Sequence, residues 1–186
     1  HFDKDAGSRT VYQYLRLFVK AGFNVKFIGD NFYQHEPYTT ALQQMGVEVL
    51  YGPECAQHWK DWIRDNAEHI DYVFLNRPHI APKYLEFIRP NTKARIIYYG
   101  HDLAFLREMR EFEITGDSSF RDSAIEWKPK ELALMRAADM AYYPSYVEVD
   151  EIWVIARRED ALRQLQQEVS IPLRILTLDL CKDESF

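Results

Sequence analysis

Ala94-Arg95-Ile96-Ile97-Tyr98-Tyr99-Gly100-His101-Asp102 is the stretch on which the reading of this chain turns. Its first six residues are dominated by β-branched and aromatic side chains, and a glycine ends the run. A short, continuous apolar run of this kind is the pattern of a parallel strand covered on both faces. The polar pair His101-Asp102 then falls at the carboxyl end of that strand. Working outward, the pattern repeats. Upstream, Ile80 to Ile88 reads as a helix stopped before Pro90, and Ile70 to Leu75 as a strand. Before these come a helix from Cys55 to Glu68, a strand from Val47 to Tyr51 stopped by Gly52-Pro53, and a short helix from Tyr38 to Met45 closed by Gly46. Phe23 to Ile28 is a strand ended by Gly29-Asp30-Asn31. Downstream, a long helical region runs from Leu103 to Ala138, followed by a strand from Met140 to Tyr143. Val147 to Val169 is mostly helical and Leu173 to Leu178 is the last strand.

The first helix shows how these assignments are made. Val11, Tyr14, Leu15 and Phe18 recur at the i, i+3, i+4, i+7 spacing of one buried face. Ser8 is placed to accept from the first-turn amides as N-cap, and Gly22 sits where a C′ residue would stop the helix. Helices of about ten residues alternating with apolar strands predict right-handed βαβ units. The expected fold is α/β, a Rossmann-like parallel sheet with helices on both faces. No linker or repeat divides the chain, so residues 1–186 are read as one domain.

Composition agrees and excludes several classes. Hydrophobic residues make up 47% and aromatic residues 15% of the 186, far too much for a disordered chain. With 29 acidic and 23 basic residues the formal charge is −6, and no basic cluster forms a nucleic-acid footprint. No apolar run approaches the ~18 residues of a membrane span. The two cysteines, Cys55 and Cys181, have no metal-ligand spacing and are too few for a disulfide framework, which fits a reducing, cytoplasmic setting.

A parallel α/β sheet ordinarily opens on a strand, whereas this chain opens at His1 with a loop that feeds a helix. An apolar strand immediately upstream of His1 is therefore expected. The loop Asp5-Ala6-Gly7-Ser8-Arg9-Thr10 carries chemistry suited to an anion. Gly7 permits close backbone approach, the helix start offers amides and a positive dipole end, Arg9 adds charge, and Ser8 and Thr10 add hydroxyls. An ordinary capped helix start explains the same residues.

Several motifs, taken in order, resemble the N-terminal domain of GT-B glycosyltransferases of the family 4-like bacterial group. They are Asp3-x-Asp5-Ala6-Gly7-Ser8, Gly22-Phe23-x-Val25, Leu42-Gln43-x-x-Gly46-Val47-Glu48-Val49, Asn76-Arg77-Pro78 and His101-Asp102. Glu131 through Ala138-Asp139, leading to Ser145 and Glu148, completes the series. The resemblance covers nearly the whole chain. It implies an acceptor-side domain that works with a C-terminal donor domain, the linker to which would begin near Lys182 to Phe186. A sugar would move from a nucleotide-sugar donor to a glycan or glycolipid acceptor in cell-surface polysaccharide synthesis. The implied enzyme needs no metal or other cofactor and works in the cytoplasm, at the inner face of the membrane if it makes peripheral contact there. The isolated domain is expected to be inactive.

The candidate site residues lie at strand tips, where α/β proteins bind ligands. His101 is the first candidate, as a group that supports the reacting sugar or orients hydroxyls. Asp102 beside it fixes the imidazole tautomer, acts as a base, or caps the following helix. Asn76 and Arg77 follow another strand, and Arg77 has the fork geometry for an acceptor phosphate or carboxylate. The same residues, with Pro78, also suit a plain turn. Ser145 and Glu148 are substrate-binding candidates that equally fit a capping box. Gly7, Ser8 and Arg9 complete the set. Phe112 to Ser123, with Gly116-Asp117-Ser118-Ser119, reads as a polar loop interrupting the long helical region. Trp59 and Trp62 look like helix packing, Met135 and Met140 need no cofactor, and His35, His58, His69 and His79 share no metal spacing.

Two other classes compete. A nicotinamide-dependent oxidoreductase would use Asp30, 23 residues beyond Gly7, on a ribose. The loop has one glycine where the dinucleotide fingerprint needs three. A non-catalytic module binding an anion or nucleotide is the other. A Glu-x7-Glu pattern in a downstream domain would separate these from the transferase.

Overall fold

Each strand among the described residues pairs with its neighbours in the parallel sense, and the described connections between paired strands run through helices. The computed structural model describes residues 1–150 and 174–175. The strand expected at 173–178 is thus described only at β6 (Arg174–Ile175), and the helix expected to 169 and the stretch 182–186 fall largely or wholly outside the described residues. The chain divides into two units, His1–Asp65 and Asn66–Phe186.

In the first unit the order is α1 (Ala6–Lys20), β1 (Lys26–Ile28), α2 (Tyr38–Gln44), β2 (Glu48–Leu50) and α3 (Gly52–Asp65). The strands pair in the register Lys26 to Glu48, Phe27 to Val49 and Ile28 to Leu50, with a Lys26–Glu48 ion pair across them. Leu15, Val25, Leu42 and Val47 form the core, and Val11, Phe18, Phe27 and Val49 pack against it. Burial of each such side chain contributes about 1.5–3 kcal/mol. Two glycines set the geometry as expected. Gly22 (φ +86°) follows α1, with Gly22 N–H donating to Val19 O and Phe23 N–H to Phe18 O, both at 3.0 Å. Gly46 (φ +99°) repeats the arrangement after α2, through Gln43 O and Leu42 O, again both at 3.0 Å. These are Schellman closures, and their left-handed residue is one that a Cβ disfavours.

The second unit contains a 3-10 turn (Ala67–His69), β3 (Tyr72–Asn76), α4 (Ala81–Asn91), β4 (Arg95–Tyr99), α5 (Ala104–Thr115), α6 (Ser118–Ala137), β5 (Met140–Tyr143) and β6. The sheet order is β3-β4-β5-β6, all parallel. β4 and β5 are the enclosed strands among those whose burial is described. Ile96 and Tyr98 have no exposed surface, and neither do Ala141 and Tyr143 of β5. Asp139 secures the entry to β5. Its Oδ2 accepts from Ile96 N–H at 2.7 Å and from Arg89 Nη1 at 3.0 Å, while Arg89 Nη2 donates to Ala137 O.

The α/β class and the parallel pairing match the sequence reading, but the architecture differs in three places. The described strands form two sheets where one was expected, because apolar periodicity specifies that a strand needs a neighbour without naming it. α4 continues one residue past Pro90, forgoing the amide hydrogen bond that proline cannot donate. The expected loop at 112–123 is a two-residue turn. Gly116 (φ +72°) closes α5 through Phe112 O, and Asp117 caps α6 by accepting from Ser119 N–H at 2.9 Å. Each helix end is satisfied locally, so no longer loop is needed.

Candidate functional site

The register of the four-stranded sheet brings most of the candidate residues to one edge. Asn76 pairs with Tyr99, and Tyr99 with Tyr142. The segments leaving β3, β4 and β5 therefore emerge side by side: Arg77-Pro78, Gly100-His101-Asp102 and Pro144-Ser145. This is the carboxyl edge, where open parallel sheets take their ligands.

Gly100 is dictated by what lies over it. A Cβ built there would fall 2.2 Å from Tyr143 Cε1 and 2.4 Å from Cζ, so the fully buried tyrosine ring occupies the space of any side chain. Tyr98 meets Tyr143 edge to face at 6.3 Å. Burial pushes both phenols above their usual range, and the negative Glu131 adds to the effect, so both stay protonated. With the backbone thus pinned, His101 sits half-buried with its ring edge-on to Tyr99 at 4.9 Å, and its Nε2 is buried. Asn76 Oδ1 is also buried and takes no hydrogen bond from the described residues. Arg77 is exposed and adopts a left-handed backbone (φ +67°), its carbonyl accepting from Ile80 N–H at 3.1 Å and Ala81 N–H at 2.9 Å. The turn reading of Asn76-Arg77-Pro78 is what the structure shows. The segment is a turn, and a strained one of the kind that concentrates at ligand sites.

Asp102 does not cap α5. It precedes the cap residue Leu103 and its carboxylate pairs with Arg107 instead. The cap comes from α6. Glu131, with no exposed surface, accepts Ala104 N–H on Oε1 and Phe105 N–H on Oε2, each at 3.0 Å. Burial raises the Glu131 carboxyl above its usual range, and the two amides oppose that shift. The effect is to clamp the start of α5, and with it the loop that carries His101 and Asp102. Sequence reasoning noted Glu131 without finding this role, since its partners lie 26 and 27 residues away. Its only signal was a carboxylate at a core-facing helical position.

Ser145 directly precedes a helix that begins at residue 146, and its hydroxyl donates to the Glu148 carboxylate. The two residues of the expected capping box therefore engage each other through their side chains.

In the first unit, the N-cap of α1 is Asp5, not Ser8. Asp5 accepts Ser8 N–H at 2.6 Å and places a full negative charge at the positive helix end. Gly7 lies inside the first turn of α1, and Arg9 turns back to donate from Nε to Phe2 O at 3.4 Å. The helix start therefore already holds an anion of its own. Gly7 in a helix also works against a dinucleotide loop, which needs that glycine in the turn before the helix.

Among the described residues no group of three or more His, Cys, Asp or Glu side chains is placed to hold a metal ion, and no helix is long and apolar enough to cross a membrane. Comparison of the chain with protein-family models, with curated proteins and with solved structures finds no match.

Proposed function

We propose that this chain is the acceptor-side, Rossmann-like part of a metal-independent GT-B glycosyltransferase. That enzyme would move a sugar from a nucleotide-sugar donor to a glycan or glycolipid acceptor in bacterial surface polysaccharide synthesis, on the cytoplasmic side. The observation that carries the proposal is the placement of His101. It follows an enclosed strand, on a loop pinned by Tyr143 and Glu131, and Asn76 and Arg77 leave the neighbouring strand at the same edge. Transfer of a glycosyl group builds positive charge on the sugar ring and needs a hydroxyl held in line, so it profits from a fixed imidazole more than from a mobile one. In this scheme the His101 imidazole orients a hydroxyl of the reacting sugar. Arg77, an exposed residue at the strand tip, pairs with a phosphate or carboxylate of the acceptor. Asp102 holds Arg107 beside the loop and keeps the edge electrostatically balanced.

The test is sugar transfer by the full-length protein across a panel of nucleotide sugars, comparing wild type with His101→Ala and Arg77→Ala. His101→Ala is expected to lower kcat by about 100-fold or more, the size of effect one positioned acid–base group supplies. Arg77→Ala is expected chiefly to raise KM for the acceptor. Wild-type activity in the His101→Ala variant removes the proposed site, and absence of transfer from every donor removes the proposed reaction.

A further inference from the structure

The first unit carries an open recess of about 560 Å³ beyond the carboxyl end of β1, within the size range of small-molecule sites. Its walls include His1, Lys4, Tyr33, Gln34, His35 and Tyr38. None of the candidate residues described above lies in it.

The recess is built from a fixed loop. Phe32 adopts a left-handed backbone (φ +51°) while its ring is buried, its N–H donates to Gly29 O at 2.9 Å, and its carbonyl accepts Gly52 N–H at 2.7 Å. That anchorage leaves the next ring, Tyr33, two-thirds exposed at 66%. Tyr33 stands edge-on to His35 at 4.6 Å. On the other wall, Tyr38 stacks on His1 at 4.5 Å with 14° between the planes and donates its hydroxyl to Asp3 Oδ1 at 2.7 Å. That hydrogen bond disfavours protonation of Asp3, whose carboxyl is held below its usual range.

Proton positions in the recess follow from its hydrogen bonds. Tyr33 N–H donates to Asn31 Oδ1 at 3.2 Å, so the Asn31 Nδ2 faces His35 Nε2 at 3.3 Å as a donor. His35 therefore accepts on Nε2 and, as the neutral ring, carries its proton on Nδ1. That proton faces His1 Nε2 at 3.4 Å, which accepts. The hydrogen bonds thus run in one chain from Asn31 through His35 to His1.

We propose that this recess binds a neutral saccharide ring, stacked on Tyr33 and hydrogen-bonded by the His35–His1 wall. The chemistry selects that class in three ways. An exposed aromatic face takes the C–H face of a pyranose, and side chains that both donate and accept suit a ring of hydroxyls. A phosphate would meet Lys4 as the one lysine or arginine of the lining, with the Glu36 carboxylate in the same lining, and the nearby start of α1 already has its Ser8 amide engaged by Asp5. The recess is open and its lining is largely of polar side chains, which does not suit an acyl chain. The choice of ligand rests on the glycosyltransferase reading, but the site stands on its own geometry.

The test uses the full-length protein with neutral mono-, di- and trisaccharides, and with uridine monophosphate as a planar anionic control. Binding is followed by saturation-transfer NMR and calorimetry for wild type, Tyr33→Ala and Tyr33→Phe. At least one saccharide is expected to bind, about tenfold more weakly in Tyr33→Ala and within about twofold of wild type in Tyr33→Phe. Tyr33 is exposed enough that neither variant should affect folding, which circular dichroism checks. The proposal is overturned if no saccharide binds, if Tyr33→Ala binds as wild type does, or if the control nucleotide alone binds in a Tyr33-dependent way. If saccharide binding depends on Tyr33 while no donor supports transfer, the recess stands and the transferase reading falls. If transfer occurs while Tyr33→Ala changes neither binding nor acceptor KM, the reverse holds.

Discussion

Replacement of Gly100 by alanine adds one methyl group, and the structure dictates what it meets. The new carbon would stand 2.2 Å from Cε1, 2.4 Å from Cζ and 2.8 Å from Oη of Tyr143. Carbon atoms pack best at about 3.5–4.0 Å, so the ring must retreat by more than about 1 Å. It has little room to move, since Tyr143 is wholly buried and its ring meets Tyr98, which is wholly buried too. The backbone is not the obstacle, because Gly100 is outside the left-handed region. Overpacking of this kind costs about 1–3 kcal/mol and more where the neighbours are rigid, so about 3 kcal/mol is expected for Gly100→Ala. For a chain of this size that is a fall of roughly 6–12 °C in Tm. The assay is urea unfolding followed by far-UV circular dichroism, run as a double-mutant cycle with Tyr143→Leu, which removes the offending ring atoms. In the Tyr143→Leu background Gly100→Ala should cost less than about 1 kcal/mol, leaving a coupling of about 2 kcal/mol. Equal costs in both backgrounds, or a Gly100→Ala protein as stable as wild type, would refute the claim that Tyr143 dictates this glycine.

Glu131→Ala should cost about 3 kcal/mol or more in urea unfolding, because it strands the Ala104 and Phe105 amides in the core, and Glu131→Gln should cost less by keeping one acceptor. Because burial raises the folded-state Glu131 carboxyl, its stabilising contribution is full below the usual glutamate range and fades as pH rises through the raised value. Stability relative to Glu131→Gln should therefore fall with increasing pH above about 4.5. Asp139→Ala should lose about 2 kcal/mol, since Ile96 N–H and Arg89 both depend on that carboxylate, and hydrogen exchange at Ile96 should quicken. Gly46→Ala should cost about 1–2 kcal/mol by thermal melting, because alanine must adopt φ near +99° to keep the closure of α2.

Much of this fold is legible in the order of residues, and the illegible parts share a cause. The runs at 94–99 and 140–143 read as strands because burial on both faces demands an uninterrupted apolar series. Gly22 and Gly46 read as helix stops because a left-handed residue has few alternatives. Helix starts were harder. Asp5 and Ser8 are both competent caps, and only the charge of Asp5 against the helix dipole favours the earlier one. Lateral strand pairing, the Tyr143 ring over Gly100, and the Glu131 clamp on α5 are all contacts between distant positions, which periodicity does not encode. The placement of Asn76, Arg77, His101 and Asp102 at strand tips is legible because a parallel strand's carboxyl end follows directly from where its apolar run stops. The recess at Tyr33 and His35 was not, because its histidines follow no ligand spacing and meet only through the folding of the 29–37 loop.

The central claim is that ligand chemistry takes place at the carboxyl edge of the β3-β4-β5-β6 sheet. Hydrogen exchange of the full-length protein, with and without a nucleotide sugar and acceptor, tests it most directly. The account predicts that ligand slows exchange at the tips around residues 76–78, 100–103 and 144–148 and leaves the opposite ends, near 70–72 and 93–95, unchanged. Protection confined to those opposite ends, or no protection at the tips under saturating ligand, would contradict it.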